Sequence, residues 1–486
     1  MAFDYEDDNY ENKFSEAITI IKYTSQGFEF SSDHKTLLMA PKNIIEFEVP
    51  QYVVSIGPSA FKGCKMLERI VLHNSIRNIA KDAFEYCSAL KTFELPSSIK
   101  VLDLSLEGCT LLSSIEIPES VKTIKSFNLR WCKSLKEIKL PKSLKTISLY
   151  LTECISLSSL VIPESVKVIT SLFLERCTSL SSIEIPESVK TIKSFNLRWC
   201  KSLKEIKLPE SLETVNLYFT GCTLSSLIIP ESVKVIISLI LRDCSSLKEI
   251  VFTNIRKVNE DLDLSSTSIT SLPDNLNVGR DLYLENTPIT KLPDNLNVGR
   301  DLYLNNAPIT SLPDNLKVGV GLDLSNTPIT SLPDDLKVRN NLYLRHTSVT
   351  SLPDNLSLKG SLDLSNTSIT SLPDKLEVKH SLNLSHSLIT SLPENLGVKS
   401  NLNLSYTPIT SLPNNLKVGG CFNLSHTLVT SLPDNLKVGG HLDLSHTLIT
   451  SLPNNLKVGW NLVLTNTSIT SLPGDLKVGW KVIGLK

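Results

Sequence analysis

The chain has 486 residues, with 49 Lys and Arg against 50 Asp and Glu and a formal net charge of −1, so its overall charge gives no reason to expect nucleic acid or an anionic membrane surface as partner. No stretch approaches the ~20 apolar residues of a membrane-spanning helix, and no transmembrane segment is expected. No nucleophile elbow, H-E-x-x-H, P-loop or dinucleotide glycine motif occurs, so an enzyme is not expected and no catalytic, cofactor-binding or metal-binding residue is assigned.

Residues 1–45 read as an acidic tail followed by a capping element. The opening MAFDYEDDNYENKFSE is polar where a secretory leader is basic and then apolar. The following ITIIKYTSQGFEF alternates like a strand and is expected to cover the exposed end of the first repeat.

Residues 46–259 carry a repeat punctuated by Pro96, Pro118, Pro141, Pro163, Pro186, Pro209 and Pro230, at spacings of 21 to 23 residues. The unit reads C-x-x-L-x-x-I-x-(I/L)-P-x-S-(V/L)-K-x-I, as from Cys132 to Ile147. Its L-x-x-I-x-L core is expected to form the strand, and the proline to end it. Nine cysteines from Cys64 to Cys244 recur every 22 or 23 residues. They form no two-by-two grouping that would suggest disulfides and no C-x-x-C spacing that would suggest zinc. A stacked column of small, buried, reduced thiols fits best, and favours an intracellular compartment. Residues 112–141 and 180–209 are identical at all thirty positions, a segment duplication that copies Trp131 into Trp199.

Residues 260–480 hold eleven 20-residue repeats without insertion or deletion, of pattern x-L-x-L-x-x-T-x-I-T-x-L-P-x-x-L-x-V-x-x. Such a fixed period builds a solenoid in which each turn touches its neighbours. Leu262, Leu264, Ile269, Leu272, Leu276 and Val278 begin six apolar columns. The L-P step disfavours a helix before the proline, so the return leg is expected to be extended, 3₁₀ or short-helical, with parallel strands ~4.8 Å apart on one face. The hydroxyl of Thr267 and its column is expected to bond backbone groups of adjacent turns. Ala307 interrupts that column and Ser387 keeps the hydroxyl. In residues 481–486 and the turns before them, Trp460, Trp480, Val482, Ile483 and Leu485 are expected to cap the last turn.

The motif I-x-x-x-A-F-x-x-C-x-x-L-x-x-I-x-(I/L)-P stands at Ile56 to Leu72 and at Ile79 to Pro96. On it, the stretch from about residue 25 to 250 resembles the BspA-like leucine-rich repeats. Later units keep Cys, Leu, Ile and Pro but lose the A-F pair. The 20-residue array is similar to the L-P class of bacterial and viral leucine-rich repeats. The resemblance implies a leucine-rich-repeat solenoid, a β-rich fold without catalytic residues or cofactor. It also implies protein binding or adhesion, which allows a cell or virion surface. The chain is expected to act as a monomeric scaffold for a protein partner, with a purely structural spacer or coat component as the alternative.

Strand positions that point outward are free of core constraint, so recognition would be written there. The column between the strand leucines includes Tyr283, Tyr303, Asp323, Tyr343, Asp363 and Asn383, and a neighbouring column includes Tyr406, His426 and His446. Tyrosine set among Asp and Asn has the composition of a paratope. His426, His446 and His441 lack a convergent acid or thiol, so surface residues are preferred to a metal site. Lys417, Lys437, Lys457 and Lys477 read as part of a solvated mixed-charge face.

Overall fold

The structure, a computed structural model, describes residues 20–23, 27–252 and 256–485. The described chain forms two compact units, Met1–Lys234 and Val235–Lys486. Each is a β-solenoid of parallel strands. Among the described residues no helix of any kind occurs, so the return legs take the extended option, as the repeated L-P step demands.

The first unit opens with antiparallel pairing of Ile20–Tyr23 with Glu29–Ser31, and of Glu29–Ser31 with Thr36–Met39. Thr36–Met39 then pairs in parallel with Ser55–Ile56, and that strand with Asn78–Ile79. The acidic tail itself lies outside the described residues.

From Val101 the strands lengthen: Val101–Ser105, Thr123–Asn128, Thr146–Tyr150 and Val168–Phe173 pair successively in parallel. This corrects the strand assignment. The L-x-x-I-x-L core does form strands, but short ones joined in twos or threes, such as Ser114–Glu116 with Glu137–Lys139. The long sheet is built after the proline, where the buried Ile124, Phe127 and Leu129 precede the cysteine. β-branched and aromatic residues suit that half-buried, pleated surface.

In the second unit each 20-residue turn carries two short strands, such as Asn277–Val278 and Leu282–Tyr283. Pairing follows a constant register of one repeat, Leu282 to Leu302 to Leu322 to Leu342. The strand leucines and Ile269, Leu276 and Val278 are buried in the interior. Leu272 is only half-buried.

The nine column cysteines are free and buried, and they are more than apolar filler. The Leu129 carbonyl accepts the Cys132 N–H of its own turn at 3.2 Å and the Cys154 thiol of the next turn at 3.1 Å. Leu151 and Leu174 repeat the pattern with Cys177 and Cys200. Thr267 corrects the expectation in the opposite sense. Its hydroxyl donates to Leu264 O of its own turn at 2.6 Å, as do those of Thr347 and Thr407 to Leu344 and Leu404. The threonine follows a left-handed residue, Ser266 at φ 56°, and that turn folds the hydroxyl back onto its own strand. The Ser387 hydroxyl is buried without a hydrogen-bond partner.

The expected aromatic cap is not formed. Trp460 and Trp480 are 44% and 68% exposed and stack on one another at 5.6 Å. Trp480 N–H donates to the Trp460 carbonyl, so the rings run along their column and do not fold over the end. Leu476, Val478 and Val482 stay half-buried in the last turn.

Candidate recognition surface

The strand register places the first predicted column in one row. Asp263, Tyr283, Tyr303, Asp323, Tyr343, Asp363 and Asn383 face successive partners. All but the buried Asp263 are half-buried. Their chemistry divides them. Asp323 Oδ1 accepts the Ser325 N–H at 2.9 Å, Asp363 Oδ1 that of Ser365 at 2.9 Å, and Asn383 Oδ1 that of Ser385 at 3.2 Å. Asp263 binds Ser265 in the same way. These are Asx-turns, in which the side chain satisfies a backbone donor two residues on. The Asp and Asn members therefore shape the chain as it leaves the strand.

The tyrosines break this pairing. Every Asp or Asn from Asp263 to Asp443 in this row has Ser two residues later, while Tyr283, Tyr303 and Tyr343 are followed by Glu285, Asn305 and Arg345. Tyr283 and Tyr303 stack at 4.8 Å with an interplanar angle of 3°. Burial first, and then the carboxylates of Asp281 and Asp301, push their phenols above the usual value; burial and Asp323 do the same for Tyr343. Beside them Asp281 and Asp301 N–H groups donate to the Asp261 and Asp281 carboxylates, while Arg280 and Arg300 pair with Asp261 and Asp281. Glu285 Oε2 is buried without a hydrogen-bond partner. Burial lifts that carboxyl to about 7, with the Asp263 charge adding to it. Glu285, Asn305 and Arg345 were missed when single columns were read. Their covariation with tyrosine, two residues apart, is the signal that finds them.

The second column lies on a different line. His386, Tyr406, His426 and His446 are left-handed, at φ 57° to 59°, as are Asn286, Asn306, Asn326 and Asn366. Asparagine tolerates that conformation better than most residues, so backbone geometry accounts for it there. The four rings stack at 4.4, 4.3 and 4.1 Å, and Asn466 Nδ2 meets His446 Nε2 at 3.1 Å. Among the described residues no group of three or more His, Cys, Asp or Glu is placed to hold a metal ion. The ring ladder and the Tyr283–Tyr303 pair stand in different turns.

The outward row of the first unit was also missed. Asn128 and Asn196 make the same Asx bonds, to Arg130 and Arg198 N–H. Tyr150 and Phe173 stack at 5.2 Å, with the Arg130 guanidinium 5.4 Å from the Tyr150 ring centre.

The BspA type leucine rich repeat region matches in six copies, over residues 37–106, 103–197 and 170–283, just over half of the chain. The chain belongs to the BspA-type leucine-rich-repeat family. Among solved structures, this BspA-type chain is similar to a leucine-rich repeat protein from Bacteroides ovatus, with 21% identity over 63% of this chain and 93% of that one and a TM-score of 0.40. It is similar to YopM from Yersinia enterocolitica, with 18% identity over 90% and 91% and a TM-score of 0.47. It is also similar to a Leptospira interrogans leucine-rich repeat protein, with 17% identity over 84% and 91% and a TM-score of 0.33. No curated protein matches the chain. Among the described residues no helix is long and apolar enough to cross a membrane.

Proposed function

We propose that this chain is a non-enzymatic, monomeric protein-binding scaffold, acting in adhesion at a cell or particle surface, whose recognition spot is the Tyr283, Tyr303 and Tyr343 group with Glu285. The observation that carries the reading is the broken Asx pairing. Where the row needs only to turn the chain it uses Asp or Asn with Ser, and in three turns it gives that up for half-buried aromatic surface. Two stacked phenols, the Asp261, Asp281 and Asp301 carboxylates and an unpaired Glu285 oxygen suit a basic partner segment, whose guanidinium or ammonium group meets both ring faces and carboxylates.

The test restores the structural pairing. Tyr283→Asp with Glu285→Ser, and Tyr303→Asp with Asn305→Ser, recreate the Asp-x-Ser turn of neighbouring repeats, so melting temperature is expected to hold or rise. Removing the desolvated Glu285 carboxylate adds to this at neutral pH. Its raised value means the folded state favours the protonated form, so the penalty is absent below about 4.5 and full above about 7. After allowance for solvent screening, that is about 1–2 kcal/mol. Binding of a labelled arginine-rich peptide, followed by fluorescence anisotropy, is expected to fall at least about tenfold, or ~1.4 kcal/mol. Unchanged affinity in the refolded-turn variants sinks the proposed spot.

A second reading has its own support. Asx-turns and left-handed asparagines explain most of both outward columns without any ligand, as a spacer would require. A wild-type chain that binds neither basic peptides nor cell surfaces would favour it.

A further inference from the structure

One step of the first unit is splayed. Along the column Val54, Arg77, Lys100, Lys122, Lys145, Lys167 and Lys190, backbone N–H groups donate to the carbonyl one turn earlier: Arg77 to Val54 at 2.8 Å, then Lys122 to Lys100, Lys145 to Lys122, Lys167 to Lys145 and Lys190 to Lys167 at 3.0 Å. The bond from Lys100 to Arg77 is absent among the described residues. Asn78–Ile79 pairs only with the strand before it, and Val101–Ser105 only with the strand after it. Two sheet edges thus face one another inside an otherwise laddered solenoid.

The step closes again on either side. Ser98 Oγ donates to Ile76 O, and Ser105 N–H donates to Lys81 O at 2.7 Å. Ile76 to Lys81 is five positions and Ser98 to Ser105 is seven, so the longer stretch must arch away from the shorter. The cause is local. The two preceding turns carry Ala60-Phe61 and Ala83-Phe84 with two-residue strands, whereas the strand from Val101 runs five residues. Between them lies a crevice of about 900 Å³, within the ~300–1,000 Å³ range of ligand sites.

Its lining combines an apolar floor with a rim on which Arg77, Lys81 and Lys100 outnumber Asp82 and Asp103. Ile99 and Leu102 are buried in it. Arg77 and Lys100 stand on its two sides, and neither forms an ion pair among the described residues. Asp103 Oδ1 is buried without a hydrogen-bond partner, 3.9 Å from Lys81 Nζ.

We propose that this crevice binds an extended peptide segment of a partner protein, with acidic side chains outward, as an added strand between Asn78–Ile79 and Val101–Asp103. Exposed strand edges are templates for pairing. Strand addition draws affinity from main-chain hydrogen bonds and selectivity from alternate side chains. Here the Arg77 carbonyl offers an acceptor to the incoming backbone, and the Lys100 N–H offers a donor. Alternate apolar side chains meet Ile99 and Leu102. Arg77 and Lys100 select carboxylates.

The experiment uses the full chain and a labelled synthetic peptide alternating glutamate and valine, with binding read by anisotropy and protection by hydrogen exchange. The Lys100 and Leu102 amides are expected to exchange readily in the free protein and to slow when the peptide is bound. Methylating alternate peptide nitrogens is expected to weaken binding by about tenfold or more, since backbone donors are lost. Arg77→Glu and Lys100→Glu are expected to weaken it several-fold with melting temperature unchanged. Lys145→Glu, farther along the same basic column, leaves it intact. Protection of the Lys100 amide before any peptide is added would show a closed step and overturn the proposal. So would equal binding of the methylated peptide, failure of the parent peptide to bind, or an equal loss in Lys145→Glu, which would indicate charge attraction without a site.

Discussion

The two units solve one problem with different atoms. In most turns a leucine or phenylalanine carbonyl has two lone pairs to satisfy inside the solenoid, and the backbone N–H three residues on takes one of them, as Cys132 does at Leu129 and Thr347 at Leu344. In the 22–23-residue turns the second goes to a thiol of the following turn, as Leu129 O does with Cys154. In the 20-residue turns it goes to the turn's own threonine, as Leu344 O does with Thr347 at 2.7 Å. At this position the thiol reaches across the step, and the threonine hydroxyl turns back onto its own strand. The first unit is therefore tied turn to turn by its side chains. At the matching position the second closes the turn on itself, and its turns are joined by backbone ladders, apolar columns and Asp and Asn side-chain bonds such as Asn306 Nδ2 to Asn286 Oδ1 at 3.1 Å.

The largest expected difference between them appears in alkali. An unperturbed thiol ionises near 9.0, and burial pushes Cys87, Cys132 and Cys200 up to about 12. The folded state thus holds these protons after the unfolded chain has released them. Their contribution is full below about pH 9 and is lost as pH rises towards 12. Each thiol removes about 1.4 kcal/mol per pH unit in that window, so these three alone cost about 4 kcal/mol near pH 10. Segment-resolved hydrogen exchange at about pH 8 and pH 10 should show Met1–Lys234 losing protection well before the 20-residue turns. Simultaneous loss in both regions would contradict the assignment. In the native protein at neutral pH, a thiol reagent should label Cys421, the half-buried one, and leave the column untouched.

The solenoid, its parallel register and the buried cysteine column were legible because a repeat shows which positions are buried in every turn at once. The direction of a hydrogen bond was not. Thr267 and Cys154 are both buried polar groups in a column, and periodicity alone does not say which neighbouring turn a side chain reaches. The longer strand of the first unit was missed because two segments per repeat alternate, and only their relative pairing separates the long ladder from the short ones. On the candidate surface the row of Tyr283 was visible, but the structural share of Asp323, Asp363 and Asn383 was not. Nor did the column of Tyr406, His426 and His446 reveal that its backbone is left-handed. Each of those distinctions depends on backbone conformation at the strand exit.

Glycine sharpens the comparison, because the two units use it for different reasons. At Gly439 a Cβ would stand 1.9 Å from the carbonyl oxygen of Gly419 in the preceding turn, so the restriction is close stacking. At Gly63, φ is +71° and nothing lies within 4 Å of an added Cβ, so the restriction is conformational. Gly439→Ala should cost about 1–3 kcal/mol as the turns are pushed apart, and Gly63→Ala about 1 kcal/mol. Asparagine tells them apart in chemical denaturation. It should recover much of the loss at Gly63, as Asn286 does at its own left-handed position, and none at Gly439.

The smallest expected effect is at the threonine itself. Thr347→Val keeps the shape and removes the hydroxyl, yet the Leu344 carbonyl keeps the Thr347 N–H at 3.2 Å. One of two bonds is lost and no donor is stranded, so the cost should be about 0.5–1.5 kcal/mol. Because the bond is internal to one turn, faster amide exchange should be confined to the turn carrying Thr347. Cys154→Ala in the first unit removes a bond that spans two turns and leaves a small void, so faster exchange should appear in both the Leu129 and the Cys154 turns. If Thr347→Val instead loosened its neighbours as widely as Cys154→Ala does, the hydroxyl would be acting between turns. The contrast between the two carbonyl partners would then be wrong.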